Sequence, residues 1–75
     1  MYLYSKHWEK KKAYRKDISN ENIDFTIQSS FIFRDRRWKD AYNAIGRVPP
    51  MGRKLKVVYK REGGNIKIIT AFWLD

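Results

Sequence analysis

Seventy-five residues carrying 17 Lys and Arg against 8 Asp and Glu, a net charge of +9, make one small, strongly basic domain spanning residues 1–75, since compact domains run to about 50–250 residues. With no Cys there is no disulfide framework, thiolate metal site or thiol nucleophile, and one His among scattered carboxylates supplies no metal-ligand set. No apolar run has the length of a signal-sequence core or a membrane span, so the expectation is a cytoplasmic protein with no membrane partner, no metal and no small-molecule cofactor.

In chain order, Tyr2-Leu3-Tyr4 is a short β-prone opening. Ser5 is an N-cap candidate for a helix running through Arg15 or Lys16. At 100° per residue His7, Tyr14 and Ile18 fall together on that helix, with Lys11 beside them. Ser19 is a second N-cap candidate, and Ile18 with Ile23 has the spacing of a hydrophobic staple. Glu21 and Asp24 suit the positive end of that helix, which the pattern predicts from Asn20 to about Gln28. Phe31-Ile32-Phe33 is a compact β-prone run. Trp38 to Val48 is ambiguous because its alanines and Asn43 have little strand propensity, and Tyr42–Arg47 is read as a strand. Pro49-Pro50-Met51-Gly52 is a clear break. Leu55 to Tyr59 is a strong strand, Gly63-Gly64-Asn65 a hairpin turn, and Ile66 to Trp73 the second arm. Strict alternation puts Leu55, Val57 and Tyr59 on one face, and Ile66, Ile68, Thr70 and Phe72 on one face of the second arm. Lys54, Lys56 and Lys60 then share the opposite side, with Val58, Ile69 and Trp73 on the corresponding sides. The expected fold is α+β: two N-terminal helices packed on a small, mostly antiparallel sheet of three to four strands.

A field of +9 attracts nucleic acid, anionic lipid or an acidic protein. It arises from residues 1–18, with six cations against two carboxylates, and from residues 34–56, with eight against two. No phosphate-binding glycine loop, paired His-Glu helix or nucleophile elbow occurs. Cations interleaved with aromatic rings do occur. Lys10, Lys11, Arg36, Arg37, Trp38, Lys54 and Lys56 suit phosphate contacts and stacking on unpaired bases. The plainer account makes Trp38 a core residue and the charges a solvated surface. Arg53 follows a Pro-Gly loop and opens a buried strand, a place where loops present binding groups. His7 is the one side chain suited to proton transfer near neutrality, although a lone His on a helical stripe is more often a packing or capping residue. Thr70 is, on propensity, a strand filler.

Three pieces, Ser5-Lys6-His7, Arg15, and Ile18-Ser19 with Ile23, look like the opening "S-x-H…R-x-I-S…I" of small bacterial and archaeal domains of unknown function. Gly52-Arg53-Lys54-Leu55-Lys56-Val57-Val58-Tyr59 and Ile66 to Phe72 are similar to their "G-R-x-L-x-V-V-Y…I-x-I-I-T-A" ending. That group resembles the RelE/BrnT toxin-like ribonucleases, compact domains with helices on a small antiparallel sheet. The resemblance implies metal-independent RNA cleavage, pairing with an acidic antitoxin, and a catalytic set of His7, Arg15, Arg53 and Thr70. His7 would be the acid/base and the arginines would hold the phosphate, with Tyr59 or Lys56 assisting. Arg15-Lys16-Asp17 departs from the pattern before Ile18, so Arg15 and Lys16 compete for one position. Two other classes remain: a non-catalytic RNA- or DNA-binding module, and an interaction protein for an acidic partner.

Overall fold

The computed structural model of the chain describes residues 2–29 and 31–74, with the side chain of Ser29 left out. The elements are β1 (Tyr2–Tyr4), α1 (Lys6–Lys12), α2 (Asn20–Ser29), β2 (Phe31–Arg34), β3 (Ala41–Val48), β4 (Arg53–Glu62) and β5 (Asn65–Trp73). All five strands form one sheet in the order β1-β5-β4-β3-β2. β1 runs parallel to β5, and every other pairing is antiparallel. The fold is therefore α+β and mostly antiparallel, but with five strands among the described residues rather than three or four. The added edge is Tyr2-Leu3-Tyr4, whose pairing with Ile66, Lys67 and Ile68 joins the two ends of the chain. No helix among the described residues is long and apolar enough to cross a membrane.

Both predicted caps form. Ser5 Oγ accepts the Trp8 N–H at 3.1 Å, and Ser19 Oγ accepts that of Asn22 at 3.1 Å. Ile18 and Ile23 bury in the same cluster, as the staple spacing requires. α1, however, ends at Lys12 rather than at Arg15 or Lys16. Continuing it would stack like charges one turn apart (Lys11 over Arg15, Lys12 over Lys16), and such pairs are destabilising. Leaving the helix also frees Arg15 to reach β5. The stripe of His7, Tyr14 and Ile18 does not form: His7 is exposed and Tyr14 is 87% exposed. Trp8 is the residue that α1 buries.

One face of the sheet carries the main core, in which Ile23 and Ile27 of α2 meet Ala44, Leu55, Val57 and Tyr59. Trp8 belongs to it, as do Ile68 and Ala71. Ala44 and Ala71 are fully buried. Small side chains there leave room for the large rings and isoleucines that fill a close-packed interior. Among the described residues the opposite face holds a small buried cluster of Ala41, Val58 and Ile69.

Strict alternation fails in β5. Val58 pairs with Thr70 and Tyr59 with Ile68, which leaves Ile69 as an extra residue in the ladder. Beyond this bulge the sides exchange, as an inserted residue must cause. Ala71 and Trp73 turn toward the main core, while Thr70 and Phe72 lie on the opposite face beside Val58 and Lys56. The expectation that Ile66, Ile68, Thr70 and Phe72 share a face, with Trp73 opposite them, is corrected accordingly. Leu55, Val57 and Tyr59 do share the core face. At the hairpin, Glu62 pairs with Asn65 across Gly63-Gly64, and Gly63 has φ 62°, a value costly for any residue with a Cβ.

Candidate nucleic-acid interface

The edge of β5 is completed by α1 and the segment after it. Ser5 N–H donates to Ile68 O at 2.8 Å and Ser5 Oγ to Ile69 O at 3.0 Å. Where β1 has ended, Arg15 Nη1 donates to Ala71 O at 2.9 Å and to Thr70 Oγ1 at 3.1 Å. A guanidinium thus takes an edge carbonyl that no strand reaches, using one of its nitrogens and leaving further donors.

This anchoring sets α1 against the sheet edge, with Trp8 on the core side and His7, one residue earlier, on the other. His7 meets the Trp38 ring edge-on at 5.9 Å. Lys11 follows His7 one turn later on the same side. His7, Lys11, Arg15, Thr70, Phe72 and Lys56 line a cleft of about 320 Å³, closed on its far side by Asp35, Arg37 and Trp38. The Phe72 ring lies between two cations, with Arg15 and Lys56 each 5.6 Å from its centroid. Neither cation forms an ion pair among the described residues. Two cations beside one ring, with Lys11 and Arg37 near and Asp35 as the carboxylate in the lining, form a net-positive anion site.

Asp35 organises the far wall. Its Oδ1 accepts the Arg37 N–H at 2.6 Å and the Trp38 N–H at 2.9 Å, which folds the turn and carries Trp38 toward His7. Burial pushes its carboxyl up. The N–H groups of Trp38 and Arg37, the Asn43 side chain and the Lys56 charge outweigh that and hold it below the usual carboxylate value. A folded value below the unfolded one means that this stabilisation is present above the unfolded value and lost as pH falls through the folded one. The Arg37 and Trp38 amide resonances should therefore titrate together, with a midpoint below that of an unstructured Asp. A midpoint at the ordinary value would contradict the hydrogen-bonding account.

The cleft brings together His7, Arg15 and Thr70 with Lys11, Arg37, Trp38 and Lys56. Lys10 borders a neighbouring depression with His7, and Arg36 lies in a hollow next to Arg37. Lys54 lies on the open face two residues from Lys56. Trp38 is 39% exposed rather than core. Arg15, not Lys16, reaches the site.

Two expected residues stand apart. Tyr59 is fully buried on the core side and stacks on Tyr42, so its hydroxyl does not face the cleft. Arg53 lies on the core-facing side at the start of β4. It lies 4.2 Å over the Trp73 ring and 3.4 Å from Asp17, which also accepts the Trp73 indole N–H at 2.8 Å. That clamp ties the segment between α1 and α2 to the end of the sheet.

Sequence reasoning missed Asp35 and Phe72. Asp35-Arg36-Arg37-Trp38 carries the short-range signal of an Asp accepting N–H groups two and three residues ahead, whereas the bulge that exposes Phe72 has no local marker. Among the described residues no three His, Asp or Glu side chains gather where they would hold a metal ion. No family model, curated protein or solved structure matches this chain.

Proposed function

We propose that this domain is a RelE/BrnT-like, metal-independent endoribonuclease that receives single-stranded RNA on the open face of its sheet, and that an acidic antitoxin-like protein covers the same face. The observation that carries this reading is the convergence of His7, Arg15 and Thr70 in one basic cleft, with Arg15 and Thr70 bonded although 55 positions apart in the chain.

The chemistry that fits is transphosphorylation. The ribose 2′-OH loses its proton, its oxygen attacks phosphorus, and the bond from phosphorus to the 5′-oxygen breaks. The 5′-oxygen takes up a proton, leaving a 2′,3′-cyclic phosphate and a 5′-OH, with no water consumed. His7 is the proton-transfer group, while Arg15 and Lys56 stabilise the charge that builds on the phosphoryl oxygens. Thr70 positions Arg15. One observation favours binding without cleavage as the second reading: two proton transfers are needed, and Asp35, held ionised by its donors, is a weak base beside a single imidazole.

Purified protein incubated with varied single-stranded RNAs in EDTA distinguishes the two. Fragments ending in 2′,3′-cyclic phosphate are expected, and none from a strand with a 2′-deoxy residue at the cut. Binding without fragments on any RNA would leave the second reading. In either case Lys56→Ala should lower the log–log salt slope of binding by about 0.7. Arg53→Ala should leave that slope unchanged and lower stability by about 0.5–1 kcal/mol, the worth of an exposed cation–π contact. A slope that falls with Arg53 instead would move the phosphate path to the core-facing side at the start of β4.

A further inference from the structure

Beside the phosphate cleft lies a second hollow of about 380 Å³ on the same open face. The two share Asp35, Arg37 and Lys56, so a strand whose phosphate sits between Arg15 and Lys56 has a neighbouring base at this hollow. Its apolar wall is Phe33, 38% exposed, whose ring lies 5.7 Å from the 74% exposed ring of Phe31. Two exposed phenyl rings on a face crowded with cations suit a ligand that is both flat and anionic, and stacked nucleotides have both properties. Asn43, only 4% exposed, belongs to the same hollow, and its Oδ1 finds no donor among the described residues. The Asn43 side chain hydrogen-bonds the Asp35 carboxylate, which fixes that acceptor at the hollow.

Resting on the proposed RNA reading, we propose that this hollow is a nucleobase subsite that stacks an unpaired base on Phe33 and prefers guanine. The Asp35 carboxylate is the acceptor at this hollow, and the Arg36 and Arg37 guanidinia are donors. Guanine alone among the four bases carries two adjacent donors, N1–H and the 2-amino group, to meet a carboxylate, together with the O6 and N7 acceptors that guanidinium groups match. Adenine and cytosine offer a single amino group on the pairing edge, and uracil a single N–H. Because the pairing edge and a ring face are both used, the base must be splayed from any duplex. A second copy of this chain is a poor occupant, since each carries +9.

The experiment uses fluorescently labelled tetranucleotides with 2′-O-methyl riboses, which bind but cannot be cleaved. Uridine tetramers with one guanine should bind about tenfold more tightly than those with one adenine or cytosine, or with uridine alone. Replacing guanine by inosine, which lacks the 2-amino group, should remove much of that preference without altering the protein. Phe33→Ala should abolish it and Phe33→Tyr retain it. Pairing the tetramer's sequence within a hairpin stem should eliminate it. Equal affinity for all four tetramers, or a preference untouched by Phe33→Ala, overturns the subsite while leaving RNA as the partner. Preference for another base overturns the guanine assignment. No binding of any tetramer even at low salt, with capture of an acidic peptide instead, overturns both the subsite and the RNA reading.

Discussion

His7→Ala is expected to reduce metal-free RNA cleavage by about 10²–10⁴-fold, the usual contribution of a general acid–base group, while sparing both melting temperature and RNA affinity. The side chain is exposed, and its one ring contact is the edge-on meeting with Trp38. The burial that α1 contributes belongs to Trp8. One imidazole also adds little to a field of +9. Arg15→Ala should behave differently, losing affinity and cleavage together and loosening the β5 edge, because its guanidinium holds Ala71 O and Thr70 Oγ1. Cleavage that survives in a folded His7→Ala protein would remove His7 from the chemistry. A large fall in its melting temperature would make it a packing residue instead.

The largest effect on stability belongs to the next residue. Trp8→Ala should cost about 3–5 kcal/mol, the range for removing a large buried ring. A core of this size rarely supplies more than about 3–5 kcal/mol in total, so the variant should be largely unfolded at 37 °C. Trp8 heads the fully buried side chains, and its cluster joins α1 to α2 and to β5. Urea unfolding followed by circular dichroism would measure this, with Trp8→Phe as an intermediate. Trp38→Ala, at a partly exposed ring on a turn, should shift the midpoint little. Equal losses at the two tryptophans would mean that the core is elsewhere.

What was legible in the residues follows the range of the interactions concerned. Ser5, Ser19 and the Gly63-Gly64 turn act within a few residues, and each formed as read. Leu55, Val57 and Tyr59 alternate in a regular strand, and their common face was recovered. The end of α1 was not, because Arg15 leaves the helix for a carbonyl 56 positions away. Trp8 passed unnoticed for a related reason. Among lysines and glutamate its helix has almost no apolar periodicity, and only the sheet edge decides which side is inside. Of the set that the resemblance implied, His7, Arg15 and Thr70 do meet, whereas Arg53, also singled out by the Pro-Gly loop before it, meets Asp17 and Trp73. A motif preserves residue types along the chain but says nothing of which face of a strand they occupy.

Ile69 gives the last strand a change of parity. With that residue in place, Ala71 and Trp73 point inward while Thr70 and Phe72 border the cleft. Excising its codon would reverse all four at once. An indole would be thrust among the cations, and a phenyl ring driven into a space sized for a methyl group. Losses or gains of a residue should thus be tolerated at the Gly63-Gly64 tip and ruinous a few positions later. An alignment that slides β5 by one column would likewise exchange core-facing for cleft-facing residues throughout its second half, so any sequence compared with this chain has to be phased at Ile69 first.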